Sequence, residues 1–424
     1  MKIKVEDVTF EEFLERQQKA LSAPRKRPKT PNPVLRKLVK TLSHNDLKKV
    51  GFTYEKVGVE KLGKKEPCLI LMNHSSFIDL EIAEYIFADR PFQIVCTYDG
   101  FVGKESLMRS VGCIPTHKFV TDVGLVKDMA YAAKKLGNSI LMYPEAGYSF
   151  DGTATTLPKS LGKCVKALGI PVVMVRTYGA FHRDPLYNNL QLRNVAVTAE
   201  VNLLLSAEEV EKKSTKEIQA LIEKQFEFDN FAWQRDNGII IDEPFRADCL
   251  NRVLYKCPAC GAEGHMHGLG IYLECDKCGK KYELTENGQM KACEGETEYP
   301  HIPDWYRWQR ECVAKDISEG TYKLDVAVDI YALIDTKSLC HLGKGRLVHD
   351  NEGFHLNGCD GKLTYEQKPS ATYCLNSDYY WYEIGDVISI GDIHVQYYCF
   401  PKDAGDVVAK ARLATEEMYK IRRG

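Results

Sequence analysis

Two Cys-x2-Cys knuckles, Cys257-Pro-Ala-Cys260 and Cys275-Asp-Lys-Cys278, stand 14 residues apart in the second half of this 424-residue chain. Four thiolates at this spacing close a tetrahedral metal site and leave no position open for chemistry. Each knuckle is followed by a glycine, Gly261 or Gly279, which permits the tight turn that brings backbone N–H groups toward the sulfurs. Residues 269–274 and 280–285 read as strands. Residues 252–293 are therefore expected to form a four-Cys zinc ribbon, with Cys257, Cys260, Cys275 and Cys278 holding a structural zinc ion. His265 and His267, between the knuckles, are the alternative ligands. A metal-closed module inside a chain too long for one ordinary core implies separate domains on either side of it.

Composition narrows the class. Hydrophobic residues at 44% and charged residues at 27% describe a globular protein. A net charge of −2 gives no bulk attraction to nucleic acid. Around the knuckles, Lys277, Lys280 and Lys281 are offset by Glu263, Glu274, Asp276 and Glu283, with no basic stripe carrying interleaved aromatics. No nucleic-acid partner is expected. The 15 cysteines are an odd number, and the first residues, MKIKVEDVTFEEFLERQ, lack an apolar signal core, so the cysteines read as cytosolic thiols and metal ligands. No apolar run approaches the roughly 18 residues that would span a bilayer.

Between residues 51 and 201 strand and helix signals alternate, as in an α/β layered domain. Strands are expected at 67–72, 92–97, 139–143, 172–177 and 195–201, and helices at 77–87, 104–110, 123–136 and 159–168. Polar groups cluster where the strands stop, which is where α/β sheets bind ligands. The stretch Cys68 to Leu80, CLILMNHSSFIDL, shows this best. Its apolar run ends in Asn73 and His74, and Asp79 follows five positions after the histidine. Asp79 is open to two readings. It caps a helix starting near Ser76, with Ser76 and Asp79 in capping-box spacing, or it folds back on the imidazole to make His74 a general base.

Three further groups stand at strand ends: GCIPTHK at 112–118, YPEAGYS at 143–149 and GIPVV at 169–173. In this order, with NHSSFID at 73–79, they resemble the four motifs of the glycerolipid acyltransferase family, whose best-known members are lysophosphatidic acid acyltransferases. The resemblance covers residues 50–205. It implies that His74 is the base and Asp79 its orienting partner, and that Asn73, Ser75, Ser76, Lys118, Glu145 and Gly147 bind substrate. The anionic acceptor is expected against Lys118, the two serines and the free N–H groups of the helix opening there. Lys118 stands where the family has arginine, and so does Tyr148. The implied reaction moves a fatty acyl group from acyl-CoA or acyl-carrier protein to a lysophospholipid hydroxyl, with 1-acylglycerol 3-phosphate as the expected acceptor. Two rival functions use the same residues: a thioesterase or lipid hydrolase delivering water, and a non-catalytic zinc-ribbon module that binds lipid or protein. Cys96 and Cys113, also near strand ends, read as buried thiols rather than nucleophiles.

The flanks complete the expected domain plan. Residues 1–50 read as two helices around the basic segment PRKRPKTPNP, with Phe10, Phe13 and Leu14 on one side of the first. In the second, Leu35, Leu38, Val39 and Leu42 share a face near Arg36, Lys37, Lys40, Lys48 and Lys49. Such a helix suits the surface of an anionic membrane, giving a peripheral protein on a cytoplasmic membrane face. A helix at 208–225 ends the α/β domain (51–230), and residues 231–251 connect it to the ribbon. From 294 to 424 the chain is β-rich, with strands expected at 322–334, 345–349, 353–356, 362–365, 371–374, 381–384, 387–390 and 394–400. A final helix is expected over 404–421. Strands closed by a terminal helix resemble a pleckstrin-homology-like barrel.

Overall fold

The computed structural model describes residues 2–120, 122–402 and 406–423. The N-terminal strand β1 (Val5–Asp7) is followed, in the α/β part, by β2 (Thr53–Val57), β3 (Leu69–Met72), β4 (Phe92–Thr97), β5 (Cys113–Thr116), β6 (Ser139–Met142), β7 (Val172–Tyr178) and β8 (Thr198–Leu205). Strands β2 to β8 form one seven-stranded sheet in the order β2-β8-β7-β3-β6-β4-β5. All neighbours in it run parallel except β7 and β8. Strand β3 is central because all four of its residues, Leu-Ile-Leu-Met, are buried from both faces. Side chains alternate along a strand, so Ile70 and Met72 enter one core and Leu69 and Leu71 the other. Strands β2 and β5 lie at the two edges and were missed by periodicity, being short and mixed in character.

The expected helix over 208–225 is two helices, Ala207–Lys212 and Thr215–Phe226. Ser206 and Ser214 each open a capping box, with Glu209 and Glu217 at the third helical positions. The second box opens a new helix inside what the periodic pattern reads as one.

Four short strands follow: β9 (Met266–Leu269), β10 (Tyr272–Cys275), β11 (Lys281–Leu284) and β12 (Met290–Ala292), paired antiparallel in sequence order. The C-terminal sheet contains β13 (Lys323–Leu333), β14 (Leu339–Asp350), β15 (Gly353–Gly358), β16 (Leu363–Gln367), β17 (Asn376–Trp381), β18 (Gly385–Gly391) and β19 (Gln396–Pro401). Its order is β16-β15-β14-β13-β19-β18-β17, two meanders joined through β13 and β19. Residues 371–374 are not a strand, and 382–384 form a turn, with Tyr382 and Glu383 at positive φ. The terminal helix is Val407–Arg423; the first two residues of its expected span, 404 and 405, lie outside the described residues.

Helix Ile302–Ser318 was hidden in the sequence by its aromatic content. Ile302, Trp305, Tyr306, Gln309, Val313 and Ile317 nevertheless recur at helical spacing and are buried. The apolar ones among them join strands β9–β12, this helix, the terminal helix and the C-terminal sheet in one core.

Residues 1–50 do not act as one unit. Strand β1 pairs in parallel with β14, and Phe13 of helix Phe10–Leu21 enters the C-terminal core. The basic segment then crosses to the α/β domain, where Arg25 pairs with Asp122 and Asp128, and Lys26 with Glu105. Helix Pro33–Lys49 buries Ser43 and Leu47, with Leu35, Arg36 and Val39 half-buried on the same side. Arg36 pairs with Glu84 and lies 4.0 Å over the Phe92 ring, so it is no part of a basic surface. Leu38 and Leu42 leave the expected face. With Val34 they form an exposed apolar row at 74%, 55% and 65% exposure.

Candidate active site

Strands β3 and β6 pair Leu69 with Ile140 and Leu71 with Met142, so the loops that follow them emerge side by side. The first loop carries His74 and the second carries Glu145. Helix Asp79–Ile86 begins at Asp79, and Ile78 at its N-cap offers no side-chain cap. Asp79 instead turns back. Its Oδ2 accepts from Ser75 N–H at 2.8 Å, from Ser76 N–H at 3.0 Å and faces His74 Nδ1 at 3.1 Å. One carboxylate oxygen thus organises the whole turn.

An ionised carboxylate only accepts, so this contact assigns the proton to Nδ1 and leaves the lone pair on Nε2. Asp79 is almost fully buried, whereas the His74 side chain keeps 24% exposure. Asp79 Oδ1 is buried without a partner, so Oδ2 carries every contact this carboxylate makes. The His74 ring lies between Tyr143 and Tyr148, with centroids at 4.3 and 4.2 Å. Two aromatic rings fix the ring plane.

The remaining expected residues divide into two groups. Asn73 Oδ1 accepts from Thr177 N–H at 2.8 Å, and its Nδ2 donates to Ser75 Oγ at 3.0 Å, tying the loop to β7. Glu145 Oε2 accepts from His74 N–H at 3.0 Å, while Oε1 accepts from Thr155 N–H at 2.9 Å and from its hydroxyl at 3.1 Å. Burial pushes Glu145 up, and these donors pull it down. Glu145 is therefore a clamp between loops, with both oxygens committed to protein. Ser76 Oγ donates to Asp184. The N–H groups expected to cradle an anion are spent on Asp79 and on Ser76, whose Oγ accepts from Ile78 N–H. Ser75 and Ser76 thus hold the turn.

Lys118 stands apart from this network, just beyond β5. It lines a cavity of about 10 Å³, room for one water, with Asp99, His117, Asn376, Gln396 and Tyr398. The C-terminal sheet thus closes over the end of β5. Burial pushes Asp378, on β17, up to about 6, and the nearby Lys118 charge opposes it. The terminal helix reaches the same region: Arg412 lies 4.3 Å over the Phe150 ring and donates to the Tyr148 carbonyl at 3.5 Å. Ala146 takes φ 57°, a strained value for a residue with a side chain. At Gly147 an added Cβ would meet nothing within 4 Å, so the turn is open beside His74's loop.

Thr155, Thr177, Asp184, Asp378 and Arg412 carried no sequence signal of their own. Each acts through a partner distant along the chain.

Away from this crevice, the four knuckle sulfurs lie within 4.8 Å of one another. Cys257 and Cys278 Sγ are 3.7 Å apart, and Cys260 and Cys275 Sγ 3.8 Å. Tetrahedral zinc with Zn–S bonds of about 2.3 Å requires sulfur separations of about 3.8 Å, so the donor set fits. His265 and His267 face Asp276 instead, at 2.7 and 2.8 Å. The cluster can hold a metal ion, and a closed four-thiolate set serves structure.

Residues 54–177 match the family model described as Acyltransferase. Among solved structures, the chain is similar to the 1-acyl-sn-glycerophosphate (LPA) acyltransferase PlsC from Thermotoga maritima, at 16% identity and a TM-score of 0.35, covering 45% of this chain and 76% of that one. The comparison with curated proteins gave no match. The segment that carries the buried sheet, the His74–Asp79 pair and the Glu145 clamp is thus an acyltransferase-family domain.

Proposed function

We propose that this protein transfers a fatty acyl group from acyl-CoA or acyl-carrier protein to the hydroxyl of a lysophospholipid, with 1-acylglycerol 3-phosphate as the first acceptor to test. The observation that carries this reading is His74, held through Nδ1 by buried Asp79 while its side chain keeps 24% exposure. Nε2 takes the acceptor's hydroxyl proton as its oxygen attacks the thioester carbonyl. The tetrahedral intermediate then expels the donor's thiolate, and the imidazolium returns the proton to sulfur. An O–C bond forms, the C–S bond breaks, and no acyl-enzyme is needed. Lys118 and the open turn at Gly147 are left for the acceptor, while a structural zinc on Cys257, Cys260, Cys275 and Cys278 stiffens the C-terminal half.

Tyr148 and Asp378 favour a second reading of the acceptor. Tyr148 offers a ring where the family has a cation, and the Lys118 charge is met by Asp378. A lysolipid without a phosphate monoester suits that balance better. Purified protein assayed against a panel of lysolipids, with both donor types, decides between them: preference for the phosphate monoester supports the first acceptor, and preference for a zwitterionic or neutral one supports the second. Release of free fatty acid independent of any acceptor would instead indicate a hydrolase.

Among the described residues no helix is long and apolar enough to cross a membrane. The exposed row Val34, Leu38 and Leu42 is the proposed contact with the lipid surface, with exposed Lys37 and Lys48 to one side of it on the helical wheel. The helix packed beside it exposes Leu80, and Phe77 just before that helix is also exposed, near His74. The order of β13–β19 with the terminal helix against β17 and β18 supports the pleckstrin-homology-like reading of the C-terminal part. The double variant Leu38→Asp/Leu42→Asp is expected to bind anionic vesicles at least about tenfold more weakly, by sedimentation, with its melting temperature unchanged. Undiminished vesicle binding would remove this helix from the lipid contact.

A further inference from the structure

Asp184 follows the one-turn helix Ala180–Arg183, which β7 feeds through Gly179. Gly179 has φ 79°, and a Cβ there would stand 2.2 Å from the Ala196 carbonyl oxygen, so only glycine makes this turn. The turn delivers Asp184 beneath the His74 loop, 108 positions from Ser76. Both residues are buried, at 3% and 1% exposure. Asp184 Oδ1 accepts the Ser76 hydroxyl, and Oδ2 accepts Arg183 Nη1 at 3.0 Å. Ser76 in turn donates its N–H to the same Asp79 oxygen that faces His74. A continuous path therefore runs from Asp184 through Ser76 and Asp79 to the imidazole.

We infer that Asp184 is a positioning residue for the proposed acyl transfer, fixing the His74–Asp79 turn through Ser76 and adding a second buried carboxylate behind the imidazolium. The inference rests on the function proposed above. Around Asp184 stand Arg183 on its own segment, Asp79 on the helix after the turn, and Tyr148 on the loop after β6. Burial pushes Asp184 up to about 7, Ser76 and Arg183 pull it down, and Asp79 raises it. A carboxylate held in this way through geometry and charge does more than fill space. Where Asp184 is ionised it places a second negative charge behind the turn, which its amide lacks.

The test follows the His74 imidazole by NMR in full-length, zinc-loaded protein labelled at histidine, with His74→Asn assigning the signal. Asp184→Asn keeps the shape and a Ser76 hydrogen-bond acceptor but removes the charge. The expected result is a fall in the His74 titration midpoint of about half a pH unit or more, with kcat for acyl transfer down about tenfold or more and KM within about twofold. Ser76→Ala is expected to reproduce part of both effects, and the double variant to be no worse than Asp184→Asn. A folded Asp184→Asn protein with the wild-type His74 midpoint overturns the inference. If that variant does not fold, a Ser76→Ala protein with the wild-type midpoint and kcat does so. The NMR reading needs no turnover: a wild-type protein inactive on every donor removes the proposed function, whereas an unmoved midpoint removes the role of Asp184.

Discussion

Replacing His74 with alanine is expected to lower acyl transfer by about 10³-fold or more, with thiol release from the donor as the readout and little change in melting temperature. The loss is chemical because the ring is partly exposed and its neighbours Tyr143 and Tyr148 are held by other contacts. Asp79→Asn is expected to cost about 10²- to 10⁴-fold. A single oxygen of Asp79 accepts from Ser75, Ser76 and Nδ1, so an amide oxygen in its place keeps those bonds and what is lost is the negative charge that stabilises the imidazolium. Because Asp79 Oδ1 is already unpartnered, the substitution costs charge more than packing. A folded Asp79→Asn protein with wild-type kcat would remove the dyad.

Cys257→Ser is expected to strip the four-thiolate site of its metal and lower the melting temperature by at least about 10 °C. Cys257 and Cys275 are buried in the same core as Tyr282 and Trp305, whose rings meet at 4.9 Å. Trp305 Nε1 donates to the Lys256 carbonyl at 3.0 Å, one residue before the first ligand. Loss of the knuckle therefore loosens helix Ile302–Ser318 and, through it, the C-terminal sheet. Elemental analysis is expected to find about one zinc per wild-type chain. Undiminished zinc in the variant would rule out Cys257 as a ligand.

The contact of Asp79 with His74 was one of two readings that the five-position spacing allowed, and the resemblance chose between them. The knuckles were legible from their spacing. Asp184 and the packing of Tyr148 on His74 were not, since a hydrogen bond across 108 positions or a ring set against another loop leaves no periodic trace. Leu38 and Leu42 show a different limit. Periodicity finds an apolar face, but only the packed neighbours show that Leu47 and Ser43 turn inward and leave that row outside. Helix Ile302–Ser318 failed through composition, because tryptophan and tyrosine favour strands until their spacing is weighed. The pairing of β1 with β14 joins the chain's beginning to its C-terminal sheet and lies beyond any local pattern.

The most direct test of the account is the product formed by purified wild-type protein and its His74→Ala variant from a lysolipid and an acyl-thioester donor, identified by mass spectrometry. The account predicts diacylated lipid and free thiol in equal amounts from the wild type, and almost none from the variant. Diacylated lipid from a folded His74→Ala protein at the wild-type rate would contradict it.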